Sequence, residues 1–565
     1  MRFGRFAALL VAGALLVASG GCSRRRTPAA VQPRFRDVAA EAGVDFEHFT
    51  GATGKKYFPE TMGSGAAVFD YDNDGWLDLL FVNGRPLERP AAPGDPTLRL
   101  YRNLGPGGGL RFRDVTTEAG LAVSLYGMGC AVADYDNDGW DDVYVSSVLA
   151  PGRLFRNRKG RFEDAGESAG VGHARRWGTG CAFLDYDRDG WLDLYVASYV
   201  RYASLSDDMP CYARGSRRSY CIPAKYEGSS GALYRNLRRG RFEDVTRQAG
   251  LWDPAQKALG VAATDLNGDG WTDLVVANDT ELNRAFLNRK GRFEDSALAC
   301  GLAYGPTGAA RAGMGVAAAD WSGSGSPSVA FTNFAGEAIG LFVTPASGEL
   351  VYTDEAAALG IAQTSRPLLG FGIEFLDVDN DGYQDLGAVN GHVRDDIEEL
   401  EPGQHYPQPA LLFHNQRGKR FTDWSAAAGP PVTSAAVRRG LAVGDLDNDG
   451  RVDMVVTRSG GAAEVWRNET RVPGGSHWLS VRLRGSVSNR NAIGARVTLR
   501  AGKVAQNRWV RSGGSYLSES DRRLHFGLGG ASRFDEIEVV WPSGRKTRYP
   551  GGPADRQMTL EESVQ

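Results

Sequence analysis

Six times along this chain, oxygen-bearing side chains stand at the first, third, fifth and ninth places of a nonapeptide whose sixth residue is glycine. The sets are Asp70, Asp72, Asp74 and Asp78; Asp134, Asp136, Asp138 and Asp142; Asp185, Asp187, Asp189 and Asp193. Then come Asp265, Asn267, Asp269 and Asp273; Asp377, Asp379, Asp381 and Asp385; and Asp445, Asp447, Asp449 and Asp453. Oxygen donors at alternate places suit a hard cation, and calcium takes about six to eight of them. The carbonyl of the seventh residue can add another, and the glycine allows the tight turn that gathers the set. A plain Asp-Gly hairpin turn needs only one or two of these residues. Retention of all four places in six copies therefore predicts calcium as cofactor, about six ions with a structural role. The carboxylates would repel one another without a cation, so loop folding and cation binding are expected to be coupled. An EF-hand would need flanking helices and a glutamate at the twelfth place, and neither is present. A seventh copy from Asp320 carries Ser322, Ser324 and Ser328 at ligand places and is expected to hold no ion.

The elements that must position these loops also repeat. Successive copies start 64, 51, 80, 55, 57 and 68 residues apart, which suits blades with irregular insertions. A Gly-x-Gly-x-Ala pattern precedes the loop, as at Gly63 to Phe69, and an apolar run follows, as at Leu77 to Val82. These read as one hairpin. Leu-Tyr/Phe-Arg-Asn followed by Arg-Phe-x-Asp, as at Leu100 to Asn103 and Arg111 to Asp114, reads as a second. The last repeat ends at Val465-Trp466-Arg467-Asn468 without its final strand, and Arg34-Phe35-Arg36-Asp37-Val38 supplies that sequence at the other end. The expected fold is all-β: a seven-bladed propeller over 34–470 closed by the N-terminal strand, removing open sheet edges. Short alternating segments then predict a small β-sandwich over 476–562, after the linker Val472-Pro473-Gly474-Gly475.

These loops, with their Gly-x-Gly-x-Ala lead, resemble FG-GAP/VCBS repeats, the blades of integrin α-subunit propellers. Asn491 to Val497, Ser512 to Ser518, Leu524 to Gly529 and Val539 to Gly544 resemble the ASPIC/UnbV domain. Together they make the chain similar to the cartilage-acidic-protein family in a bacterial lipoprotein form. That resemblance implies the propeller and calcium and says little about a ligand.

The first residues read as an export signal over 1–21, with Arg2 and Arg5 before the apolar run Phe6 to Ala18. Ser19-Gly20-Gly21-Cys22 resembles a lipobox with Ser in place of the usual Leu, which makes Cys22 the expected lipidation site; ordinary cleavage nearby is the alternative. The tether then covers 22–33. Localisation is expected at the cell envelope, periplasm or cell surface, by lipid anchor. Export suits disulfides, and Cys211 with Cys221 is the expected pair. Cys130 and Cys181 occupy matching places in two repeats, which fits either a pair or two small buried residues, and Cys300 has no evident partner. A formal net charge of −3 and the lack of a basic stripe argue against nucleic acid.

Strand order puts the Asp loops on one face and the long insertions, Tyr199 to Ser230 and Asn390 to Pro409, on the other. Function is expected on the insertion face, as a binding or adhesion module for a protein or glycan partner. The candidate contact residues are Asn278, Asp279, Asn390, His392, His405 and Tyr406. For each of them, satisfying a turn or capping the channel is the competing role. Two alternatives stand beside it: a calcium-dependent glycan lyase using His392 and His405, or a scaffold subunit of an envelope complex. No nucleophile, zincin or phosphate-loop motif is present, so no catalytic residue is expected.

Overall fold

The computed structural model describes residues 31–107, 109–171, 176–345 and 349–563. The expected signal segment, Cys22 and most of the expected tether lie outside the described residues. The described chain is all-β, and no helix in it is long and apolar enough to cross a membrane.

Seven four-stranded antiparallel sheets follow one another. Sheet I is Ala66–Phe69, Asp78–Phe81, Arg99–Asn103 and Phe112–Asp114, and the next five repeat this meander. Their first strands are Gly127–Ala133 (II), Gly178–Leu184 (III), Ala258–Thr264 (IV), Val316–Ala319 (V) and Gly370–Leu376 (VI). Sheet VII contains Arg438–Gly444, Asp453–Arg458 and Glu464–Asn468, and its fourth strand is Phe35–Asp37. That strand pairs Phe35 with Asn468 and Asp37 with Trp466. Each first strand lies against the first strand of the next sheet, and Arg438–Gly444 lies against Ala66–Phe69.

The apolar core is divided into slabs between adjacent sheets. Phe69, Leu80 and Leu100 of sheet I pack against Val132, Val143 and Phe155 of sheet II, and the other sheets repeat this arrangement. First strands are buried along their whole length, so they read as continuous apolar or small runs rather than alternating ones. The Arg-Asn end of the third strand stitches the ring. Asn157 Nδ2 donates to Asp141 O of its own loop and to Tyr71 O of the preceding sheet. Asn103, Asn236, Asn288 and Asn415 span their loops in the same way.

The C-terminal module has two sheets. One joins His477–Arg484, Leu524–Gly529 and Arg556–Glu561; the other joins Val504–Trp509, Arg496–Ala501, Arg533–Val540 and Lys546–Pro553. Between the strands ending at Trp509 and starting at Leu524, the chain leaves the module and runs into the centre of the ring. There it meets all seven first strands. Ser518 Oγ accepts from Ala66 N, Leu517 O from Cys130 N, Ser512 Oγ from Phe183 N and Ser515 O from Val316 N. Gly514 N donates to Val261 O, while Ser515 Oγ and Ser520 Oγ accept from Ile373 N and Val443 N. The second glycine of the Gly-x-Gly pattern admits close neighbours, the inserted segment at Gly65 and the next sheet's first strand at Gly315. A Cβ on Gly65 would fall 1.8 Å from Leu517 O, and one on Gly315 would fall 2.3 Å from Phe371 O.

Cys211 and Cys221 form a disulfide, with Cα atoms 5.2 Å apart, across the hairpin Cys211–Ala213 and Arg217–Ser219. Cys130 and Cys181 are separate buried thiols, as is Cys300. Of the two readings the sequence left open for Cys130 and Cys181, the small buried residue is the one realised.

Candidate metal centres

Each Asp loop joins the first two strands of its sheet, and its backbone is held by its own carboxylates. Asp134 Oδ1 and Oδ2 accept from the N–H groups of Asp138 and Gly139 at 3.0 and 2.7 Å. Asp142 takes Tyr135 N at 3.2 Å and, from the third strand, Asn157 N at 2.7 Å. Asp138 takes Trp140 N at 3.1 Å. The loops of Asp70, Asp185, Asp377 and Asp445 repeat this scheme.

The third-place carboxylate is different. Asp72, Asp136, Asp187, Asp379 and Asp447 each have a buried Oδ1 with no hydrogen-bond donor. A desolvated carboxylate oxygen without a donor is costly. These oxygens belong to compact acidic groups: Asp70/Asp72/Asp78, Asp134/Asp136/Asp142, Asp185/Asp187/Asp193 and Asp377/Asp379/Asp385 each present ligand atoms within 4.8 Å of one another. Several buried Asp clusters thus have the donor set and the missing positive charge of a cation site. In the loop of Asp265, Asn267 fills the third place, and its Oδ1 accepts Asp269 N at 3.0 Å. The Asp320 copy keeps the turn through Ser324 and Gly325 N–H, but the ninth-place hydroxyl of Ser328 takes the Trp321 indole at 3.0 Å.

Two positioning devices escaped the sequence reading. The fourth-place residue is left-handed in each of these loops, with φ of 57° at Asn73, 56° at Asn137 and 58° at Asn380, which is why asparagine or glycine prevails there. Its amide reaches the next loop: Asn73 to Gly139 O, Asn137 to Gly190 O, Asn380 to Gly450 O and Asn448 to Gly75 O, at 2.8 to 3.2 Å. The second device is the third-strand arginine, which pairs with the third-place carboxylate. Arg102 meets Asp72 at 2.7 Å, Arg235 meets Asp187 at 2.7 Å, Arg467 meets Asp447 at 2.6 Å, and Arg156 pairs with Asp136. The Leu-Tyr-Arg-Asn spelling carried both the arginine and the stapling asparagine in plain view.

Burial pushes the loop carboxyls upward. Asp70 is raised to about 6, and Asp134, Asp185 and Asp445 to about 7. Asp78, Asp142 and Asp193 are pushed well above the usual carboxylate range, again by burial. In metal-stripped protein the folded state then holds more protons than the unfolded chain between the ordinary carboxylate pKa, near 4, and about 7. Stability of the stripped protein should therefore fall as pH rises through that window. Cation affinity should rise over the same interval, because the cation replaces the protons. Melting the stripped protein at pH 5 and pH 8 tests the sign: a higher melting temperature at pH 8 would contradict it.

The C-terminal module sits on the rim of Asp loops. Asp134 N donates to Asn491 Oδ1 at 2.6 Å, and Arg490 N donates to Asn137 Oδ1 at 2.8 Å. His525 Nε2 meets Asn380 Oδ1 at 2.6 Å, Arg523 reaches Asn448 Oδ1 at 3.0 Å, and Arg522 pairs with Asp141 at 2.5 Å. The opposite face carries the insertions. There the structure corrects four expected contact residues. Asn278, Asp279, Asn390 and His392 are buried, so none is presented to a ligand. Asn278 Oδ1 takes Lys257 N, Asp279 accepts from Tyr199 Oη at 2.5 Å, and Asn390 Nδ2 donates to Pro409 O. His392 Nδ1 takes Arg394 N at 3.0 Å, and burial lowers its pKa to about 4. His405 is exposed beside Glu398, and Tyr406 is half-buried. The same face also exposes three apolar side chains, Met209, Tyr212 and Ile222, on the disulfide hairpin or its flanks, at 42, 60 and 50%.

Residues 485–565 match the family described as ASPIC and UnbV, and residues 70–145, 265–331 and 377–456 match the FG-GAP-like repeat. Cartilage acidic protein 1 of Xenopus tropicalis is 24% identical over 514 residues, covering 86% of this chain and 71% of that protein. The Homo sapiens protein of the same name is 26% identical over 204 residues, 30% of this chain and 31% of that protein. Among solved structures, Saccharomyces cerevisiae Sqt1 aligns at a TM-score of 0.37 with 10% identity, over 78% of this chain and 99% of that one. The exotype rhamnogalacturonan lyase YesX aligns at 0.34 with 13% identity, over 81% and 72%.

Proposed function

We propose, from the premise that this chain combines FG-GAP-like repeats with an ASPIC/UnbV domain and is homologous to cartilage acidic protein 1, that it is a calcium-loaded binding module working outside the cytoplasm. In this reading the seven sheets are the blades of a closed propeller and the six complete Asp loops hold structural calcium. The donor-less third-place oxygens support calcium, since an ion there would meet the first-, third- and ninth-place carboxylates. The disulfide supports an oxidising compartment. Lipidation at Cys22 would tie the module to the envelope.

One observation carries the choice of binding face. The C-terminal module covers the Asp-loop rim and its inserted segment fills the ring, which leaves the insertion face to a partner. The disulfide hairpin there is a rigid platform for Met209, Tyr212 and Ile222, an apolar centre with the charged rim of Arg217 and Glu399 beside it. A protein or glycan surface with an apolar patch is the partner this fits. The test is a Tyr212→Ser/Ile222→Ser variant, screened against envelope proteins and surface glycans. It should lose at least tenfold in affinity for whatever the native protein captures, with an unchanged melting temperature. Unimpaired capture would move the partner site elsewhere.

A further inference from the structure

The third-place residue and the third-strand residue facing it follow a rule within this one chain. Where the third place is a carboxylate, as at Asp72, Asp136, Asp187 and Asp447, an arginine lies on it. Where it is neutral, as at Asn267 and Ser322, the matching third-strand residue is Leu287 or Val343. The guanidinium compensates a buried negative charge and is dispensed with when that charge is absent. Sheet VI breaks the rule. Asp379 is a carboxylate, its side chain is only 4% exposed, and its partner is His414.

His414 does not replace the arginine as a donor. Its Nε2 lies 3.4 Å from Asp379 Oδ2, yet this buried nitrogen makes no hydrogen bond, and Asp379 Oδ1 has no donor either. The ring is held in plane by Trp424, stacked at 3.7 Å with 1° between the planes. Asp379, Asp381 and His414 bring one ligand atom each within 4.8 Å of one another. For metal–ligand bonds of about 2.0–2.1 Å, adjacent donors around a tetrahedral ion are about 3.3 Å apart, close to the His–Asp spacing found.

We propose that His414 Nε2, Asp379 and Asp381 form a site for a borderline divalent transition metal of the zinc class, distinct from the all-oxygen loops. An imidazole nitrogen suits zinc, cobalt or copper and is a poor ligand for calcium, so one histidine changes which ion this loop selects. The metal supplies the positive charge that arginine supplies in the sister repeats. Three protein donors leave one position of a four-coordinate ion open to water or to a ligand atom. The site takes Asp379 and Asp381 from one of the six proposed calcium loops, so the zinc-class ion displaces calcium there and leaves calcium to the other five.

The test uses the tag-free mature protein saturated with calcium and titrated with Co2+, with Zn2+ as competitor. One Co2+ per chain should bind, with visible d–d absorption, partial quenching of tryptophan fluorescence through Trp424, and displacement by Zn2+. His414→Arg restores the side chain of the sister repeats. It should weaken Co2+ binding at least 100-fold while leaving the calcium bound at the other loops unchanged, which also reports a sound fold. Asp381→Asn should weaken Co2+ about tenfold. Equal Co2+ affinity in His414→Arg, or no tight Co2+ binding in the calcium-loaded wild type, overturns the proposal. Co2+ bound through His414 in a protein that takes up no calcium would sink the calcium reading alone.

Discussion

Stripping divalent cations should lower the melting temperature by about 15 °C or more, because several clusters of buried carboxylates would lose their counter-charge together. A cation held at about 1,000 times its Kd contributes about 4 kcal/mol per site. A ring of this size gains or loses roughly 1 °C per kcal/mol. Six sites acting at full strength would exceed 20 °C, and incomplete independence reduces that figure. The loops are not independent: the fourth-place amides of Asn73, Asn137, Asn380 and Asn448 each hold the carbonyl of the next loop. The same asparagines receive Arg490 N, His525 and Arg523 of the C-terminal module, so loosened loops should also loosen the module. Calorimetry in excess EGTA reads the first effect, and protease cleavage in 472–475 reads the second. An unchanged melt would remove calcium from the account.

Tyr516→Ala should cost about 3–5 kcal/mol and open the centre of the ring. The side chain is fully buried, its hydroxyl donates to Met62 O at 2.7 Å, and its ring meets Phe371 edge-on at 4.8 Å. With Leu517 beside it, the residue anchors a segment otherwise made of serine, glycine and Glu519. Around it lie Ser512, Ser515, Ser518 and Ser520, which hold strands by hydroxyl contacts. Tyr516→Phe separates the two contributions: it keeps the ring contact and should cost only about 1 kcal/mol. Denaturant melts of both variants, with proteolysis of the linker, check this. A Tyr516→Ala protein that melts and resists protease like wild type would mean the segment is incidental to the ring.

How much was legible in advance differs between strands and sites. The repeated nonapeptide is a local pattern: turn, alternating donors and flanking apolar runs all act within about a dozen residues, so both the loops and their chemistry could be read directly. The N-terminal strand was legible for a similar reason. Phe35-Arg36-Asp37 repeats the Phe-x-Asp of the fourth strands of sheets I, II, III, IV and VI, and Phe35–Asp37 pairs with Glu464–Asn468. The expected contact residues fared worse. Asn278, Asp279, Asn390 and His392 stand where polar groups at the end of a strand would face a ligand. Neighbouring strands and the folded-back insertions bury them instead, and their polarity is spent on Lys257, Tyr199, Pro409 and Arg394.

By itself, then, the sequence determined the all-β repeat, the acidic loops and the disulfide hairpin, because each depends on neighbours in the chain. Only the tertiary structure decided that Ser512 to Ser520 fills the ring, that the module covers the loop rim, and that His414 stands over Asp379. These contacts join residues tens to hundreds of positions apart, and each partner alone looks like an ordinary polar residue. Polar groups among buried strands must still find donors and acceptors, and which distant segment supplies them is set by the packed shape.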